Sequence, residues 1–279
     1  MSVSVTVRNN VKTSGNGQQP VLFAHGFGCD QNMWRFVAPA FAPHFKVVLF
    51  DHVGCGRSDI SAYRADRYQS LEGYARDIVE IAEAHDLHDI IFVGHSVSSM
   101  IGILAAKFAP ERFAQLILLV PSACYIDVPP DYRGGFTRAD LEGLLDLMEK
   151  NYVGWASFLA PMVMKNDDQP ALQQELATSF CAADPAIARR FAAVTFLSDH
   201  RHDLDGVKVP ALIVQCSDDA IAPAGAIEFV HQKLSGSSLR TLQASGHCPQ
   251  MTNPKETIAA INEYLSAQGV LRGILEQPQ

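Results

Sequence analysis

Residues 90–108 read Ile-Ile-Phe-Val-Gly-His-Ser-Val-Ser-Ser-Met-Ile-Gly-Ile-Leu-Ala-Ala-Lys-Phe. The opening residues are apolar and rich in Ile and Val, the composition of a strand buried on both faces. From Val97 onward helix formers take over. Only Gly94-His95-Ser96-Val97-Ser98 separates the two, so strand must pass into helix through one abrupt turn with Ser96 at its tip. Such a turn strains the backbone of its apex residue, holds the hydroxyl clear of the sheet and aims the following amides at it. This is how a nucleophile is presented. The pattern is G-x-S-x-S rather than G-x-S-x-G. Both flanking positions must be small because the two backbones nearly touch, and Ser98 adds only a hydroxymethyl group. Taken alone, the stretch also suits a Gly/Ser turn in which Ser96 merely caps the helix.

The rest of the chain narrows the choice. With 279 residues, 48% of them hydrophobic and 19% charged, it can bury one large core and still carry an inserted subdomain. A formal net charge of −8 with scattered cations disfavours nucleic acid and anionic membrane surfaces. No apolar run reaches the roughly eighteen residues that a bilayer requires. The N-terminus alternates with period two and lacks the charged head and apolar block of a leader, so a cytoplasmic protein is expected. Six cysteines, at 29, 55, 124, 181, 216 and 248, form no C-x-x-C pair and no zinc grouping with histidine. They read as small hydrophobes in a reducing compartment, and neither metal nor cofactor is expected.

In chain order, residues 2–13 predict two short strands meeting at Asn9-Asn10. Val21 to Ala24 is a buried strand running into His25-Gly26-Phe27-Gly28, whose glycines suit either an anion-binding loop or a plain turn. Asp30 to Ala42 reads as an amphipathic helix through Trp34, Val37 and Phe41. Phe45 to Phe50 is a strand, and 70–85 a helix with Leu71, Tyr74, Ile78 and Ile81 inward. The G-x-G after the 45–50 strand, at Gly54 and Gly56, has Asp59 where a dinucleotide site needs glycine, and no helix opens directly behind it. Ala114 to Val120 is the strand after the elbow helix. Between 127 and 205 the alternation of strand and helix stops, and helices are predicted from Thr137, over Val153–Met164, from Pro170 and from Pro185. Strands return at 211–215 and 239–242, separated by a helix over 225–234. A helix from Pro254 to about Ala267 closes the fold, with a loosely held tail beyond it. The sum is an α/β protein: a mostly parallel sheet of eight strands with helices on both faces, made from 1–126 and 206–279, and a helical insertion at 127–205.

Four loops directly follow predicted strands: His25-Gly26-Phe27-Gly28, the Ser96 elbow, Asp218-Asp219 and Gly246-His247. In an open parallel sheet they gather at the carboxyl edge, where such folds place their sites. The order Ser, Asp, His is that of the α/β-hydrolases and of no other common serine-triad fold. Gly94 to Gly102, His25 to Asp30, Asp219-Ala220-Ile221-Ala222-Pro223 and Gly246-His247-Cys248-Pro249 together resemble the RsbQ branch of the α/β-hydrolases. These are bacterial stress-response regulators related to the plant strigolactone and karrikin receptor hydrolases. Residues 129–136 and Met148 to Tyr152 with Gly154-Trp155 strengthen the likeness.

The resemblance implies a four-helix, V-shaped lid over a deep apolar pocket. It implies Ser96 as nucleophile, His247 as base and Asp219 as its orienting acid, with the Phe27 and Val97 amides as oxyanion hole. Asp219 is preferred to Asp218 because its spacing to Pro223 matches the family; Asp127 is a third candidate. His95 is expected to pack beside the elbow, His25 to tie down the oxyanion loop, and His200 and His202 to be solvated. Phe27, Phe136, Trp155, Phe158 and Phe196 are expected to bind substrate. Two functions follow as expectations. One is a serine hydrolase of small apolar esters or lactones working through an acyl-enzyme. The other is a slow-turnover ligand sensor with a protein partner, for which the resemblance suggests a PAS-domain phosphatase.

Overall fold

A computed structural model describes residues 3–271. Its sheet has seven strands, β1 (Lys12–Ser14), β2 (Pro20–Ala24), β3 (Lys46–Leu49), β4 (Ile90–His95), β5 (Phe113–Leu119), β6 (Ala211–Asp218) and β7 (Ser237–Ser245), in the order β1-β3-β2-β4-β5-β6-β7. Only β1 runs antiparallel, against β3; every other pairing is parallel.

Parallel strands need helical crossovers, and these cover both faces of the sheet. Alternate side chains of the central strands accordingly fall into two cores. Val21 and Phe23 of β2 and Ile91 and Val93 of β4 belong to one. Leu22, Ala24, Ile90 and Phe92 belong to the other. The second core is closed by α2 (Leu71–Ala84) and α3 (Val97–Phe108) with Ile227 and Val230 of α8 (Ala224–Lys233). The first is closed by α10 (Pro254–Ala267) and by the insertion, whose helices are α4 (Arg138–Lys150), α5 (Tyr152–Met164), α6 (Pro170–Ala182) and α7 (Pro185–Phe196). Thr137 and Asp140 cap α4 reciprocally, and Asp184 caps α7 just before Pro185.

Two expectations fail near the N-terminus. Val5–Arg8 is one helical turn, α1, so the sheet has seven strands among the described residues and not eight. Alternation marks a strand only when one face is buried, and α1 buries no residue. It is held instead by Arg8, which reaches Glu80 at 2.5 Å and Asp77 at 3.2 Å on α2. The predicted helix over 30–42 is two 3₁₀ turns, Gln31–Trp34 and Ala38–Ala40, with Pro39 inside the second. Trp34, Val37 and Phe41 are nonetheless buried as the spacing required. Residue 2 of the predicted first strand, and the tail after Leu271, lie outside the described residues.

Candidate active site

The elbow is built by close approach. A Cβ on Gly94 would lie 2.6 Å from the Ser98 carbonyl oxygen, so only glycine lets β4 and α3 come this near. Ser96 is forced to φ 56°, ψ −123°, a costly conformation for a residue with a side chain. The turn is locked from both sides: the Ser96 amide donates to Leu119 O of β5 at 2.9 Å, and Ser99 N donates to Ser96 O at 2.8 Å.

β6 ends at Asp218 and β7 at Ser245, so the loops after them bring an acid and an imidazole to the same sheet edge. Ser96 Oγ lies 2.8 Å from His247 Nε2, and His247 Nδ1 lies 2.7 Å from Asp219 Oδ2. All three side chains are buried. Because the carboxylate can only accept, His247 carries its proton on Nδ1, and its free Nε2 accepts from the serine hydroxyl. The other oxygen of Asp219 accepts from the amides of Ile221 at 2.8 Å and Ala222 at 3.2 Å. Burial opposes its ionisation, but the His247 imidazole and these two amides outweigh that and hold its pKa below the ordinary value. The rival acids are elsewhere: Asp218 is half exposed and paired with Lys165 at 2.5 Å, while Asp127 accepts from Gly135 N at 2.9 Å.

Three buried histidines surround this relay. His95 Nε2 donates to the main-chain oxygen of His247 at 2.6 Å, fixing the backbone that carries the imidazole. His25 Nδ1 donates to Gly26 O at 2.9 Å and its Nε2 accepts from His52 N at 3.0 Å, tying the loop after β2 to the loop after β3. Burial keeps all three neutral, His95 down to a pKa of about 3. Ser98, the departure from glycine in the motif, donates to His25 O at 2.5 Å and accepts from His52 Nε2 at 2.8 Å. Sequence reasoning missed His52 and this use of Ser98, because nothing local in the chain marks a contact made across two strand ends. His200 departs from expectation: it is buried, with Nδ1 3.0 Å from Asp203, because its amide pins the end of the insertion to Ala123 O at 2.8 Å. His202 is solvated, its side chain 77% exposed.

The insertion roofs the relay with a cavity of about 340 Å³ that Ser96, His95 and His247 floor. Phe27, Phe136, Phe158 and Phe196 are on its wall, and no Lys or Arg is. Phe158 stands at the mouth, 57% exposed. Trp155 does not border the cavity: it is buried behind the wall, stacked on Tyr152 and tilted against Phe180 at 5.0 Å. Helical phase does not separate them, since residues three apart on α5 are neighbours on one face; Trp155 is instead taken up by its packing on Tyr152 and Phe180. Phe27 is held at 5.5–6.2 Å by four rings of the insertion, Trp155, Phe180, Phe191 and Phe196. Next to it, Gly28 has φ +69°, and a Cβ there would enter the Phe180 ring. Ser179 Oγ donates to Gly28 O at 2.8 Å, a link the sequence did not reveal.

The bordering thiols offer no competing nucleophile. Burial pushes Cys29 up to about 12 and Cys248 well above the ordinary thiol value. Among the described residues no group of His, Cys, Asp and Glu could hold a metal ion, and no helix is long and apolar enough to cross a membrane.

Comparison with known proteins places the chain in a family. Curated relatives include the Karrikin insensitive 2 receptor CA of Petunia hybrida, 37% identical over 92% of this chain and 95% of that one. The Strigolactone esterase D14 of Arabidopsis thaliana is 34% identical over 88% of this chain and 92% of its own length. A solved hydrolase structure from Oleispira antarctica superposes with a TM-score of 0.92 at 44% identity, covering 94% of this chain and 96% of that one. A model of the Alpha/beta hydrolase family matches residues 21–261, and the chain belongs to that family.

Proposed function

We propose that this esterase-type hydrolase cleaves small, neutral, apolar carboxylic esters or lactones by way of an acyl-enzyme on Ser96. The observation that carries the reading is the continuous relay from Ser96 through His247 to Asp219 at the floor of an apolar cavity. Ser96 Oγ attacks the carbonyl carbon as its proton passes to His247 Nε2, and the carbonyl π pair moves onto oxygen. The amides of Phe27 and Val97 receive that oxyanion; among the described residues the Phe27 amide has no acceptor of its own. Collapse breaks the bond to the leaving oxygen, which takes the proton from His247. Water then repeats the sequence on the acyl-enzyme, with His247 as base. Asp219 keeps the imidazole in the accepting tautomer and stabilises it when charged.

Substrate class follows from the wall. Phe27, Phe136, Phe158 and Phe196 offer area without directional polar partners, while Trp155 backs them, and the four helices of the insertion serve as the lid. The absence of a cation on the wall and the Asp140 carboxylate at its rim disfavour substrates with a free carboxylate. The six free thiols suit a cytoplasmic setting.

The names of the relatives support a second reading of the same site. One is called a receptor and another an esterase, so slow turnover coupled to a protein partner is a real alternative, closest in kind to RsbQ with its PAS-domain phosphatase. Nitrophenyl acetate turnover by the wild type and by Ser96→Ala tests the chemistry. Removal of the nucleophile should cost about a millionfold, with an acetyl adduct trapped on the wild type alone. Equal rates would end the assignment. Fast wild-type turnover favours the enzyme reading, and turnover slower than about one per hour, accompanied by ligand-induced loss of thermal stability, favours the sensor.

A further inference from the structure

The chemistry proposed above leaves without a part a buried polar group that touches Ser96. Tyr125, in the segment between β5 and α4, is 2% exposed and packs its ring edge-on against Phe196 at 5.3 Å. Its hydroxyl lies 3.4 Å from Ser96 Oγ, its only hydrogen-bond partner among the described residues. The direction of that contact is fixed by the relay. Since Ser96 gives its proton to His247 Nε2, its oxygen can only accept from Tyr125, and the phenol is the donor. Burial holds the phenol well above its ordinary pKa, so it stays protonated throughout the range in which His247 acts as base.

We propose that Tyr125 is a further catalytic residue, a neutral donor that stabilises negative charge on Ser96 Oγ when that oxygen is the attacking or the departing atom. The proposal rests on the acyl-enzyme reading. At 3.4 Å the contact is long for two hydroxyls, which prefer about 2.7–2.8 Å, so it does little for neutral serine. A donor poised at that distance tightens as charge accumulates, and an interaction stronger in the transition state than in the ground state is what accelerates a reaction. In acylation the Oγ–H bond breaks toward His247 while the Oγ–C bond forms. In deacylation the Oγ–C bond breaks, its electron pair returns to Oγ, and His247 returns the proton. Tyr125 lends a hydrogen bond in both steps and transfers no proton. The help is larger in deacylation of aryl esters, where serine is a far poorer leaving group than nitrophenolate.

The test is pre-steady-state hydrolysis of nitrophenyl acetate by wild type, Tyr125→Phe and Ser96→Ala, with intact-protein mass spectra of quenched samples. Tyr125→Phe keeps the ring against Phe196. It should slow deacylation by about tenfold to a hundredfold and acylation less. A burst of nitrophenolate, accumulated acetyl-enzyme and a parallel fall in kcat and KM should follow, none of which a merely structural tyrosine would produce. Wild-type deacylation by a folded Tyr125→Phe overturns the proposal and leaves the acyl-enzyme reading standing. Turnover by Ser96→Ala at the wild-type rate overturns that reading itself. Should Tyr125→Phe melt below the assay temperature, 3-fluorotyrosine at position 125 replaces it. A deacylation rate that shifts with the acidity of the phenol supports the proposal, and an unchanged one overturns it.

Discussion

The carboxyl edge of the sheet and the four-helix insertion meet at one cavity but are specified in opposite ways. At the sheet edge, position is set by hydrogen bonds: Ser96, His247 and Asp219 are joined at 2.7–2.8 Å, with His95 and two amides holding the relay from outside. In the insertion, position is set chiefly by rings: four of them hold Phe27, with one hydrogen bond beside them, from Ser179 Oγ to Gly28 O. Hydrogen bonds are directional and fail abruptly when a partner is lost, whereas aromatic packing is spread over many contacts and yields gradually. Chemistry should therefore respond steeply to changes in the first region. Selectivity and stability should respond in graded fashion to changes in the second.

The sharpest break is Asp219→Asn. The amide leaves the geometry nearly intact but favours the wrong tautomer of His247, so kcat should fall about ten-thousandfold with little change in KM. A loss of tenfold or less, measured with nitrophenyl acetate, would show that the acid does not orient the base.

Acid should dismantle the sheet edge before the insertion. His25, His52 and His95 are buried and kept neutral in the folded state, chiefly by desolvation, whereas in the unfolded chain their pKa is near 6.5. The stability they contribute is fully present above pH 6.5. It is lost as pH falls below that value, because the unfolded chain takes up protons that the folded one refuses, and for His95 the loss continues toward pH 3. Each imidazole steepens the fall by about 1.4 kcal/mol per pH unit. Thermal melts from pH 7 to pH 4, with proton uptake on unfolding by calorimetry, should show a slope of two to three protons, and a flat profile would contradict neutral burial.

Within the insertion, Trp155 and Phe158 separate two roles. Trp155→Ala empties a buried volume and should cost about 3–5 kcal/mol in chemical denaturation. Phe158→Ala, at the exposed mouth, should cost under about 0.5 kcal/mol and act on KM, which should rise for bulky esters and not for acetate. The reverse pattern would mean that the tryptophan faces substrate and the phenylalanine supports the roof.

Much of this was legible in the chain. The elbow, the strand-end loops and the helices opening at Thr137, Pro170 and Pro185 each depend on local signals: a buried apolar run, small residues at a turn, a cap. The N-terminal turn is not legible there, because an alternating pattern says which face is apolar, not whether anything covers it. The position of Trp155 behind the cavity is not legible either, because aromatic content shows that a pocket can exist without showing which rings face it.

By its order of residues alone the protein determined a parallel sheet with Ser96 at a strained turn, and an acid and an imidazole later at strand ends, because these rest on periodicity and loop position. The spacing to Pro223 already favoured Asp219 over Asp218, but folding alone decided that Ser98 and His52 bridge two loops and that Tyr125 reaches Ser96. Those contacts join residues far apart along the chain, where no local preference operates and only the packing of the sheet sets which side chains touch.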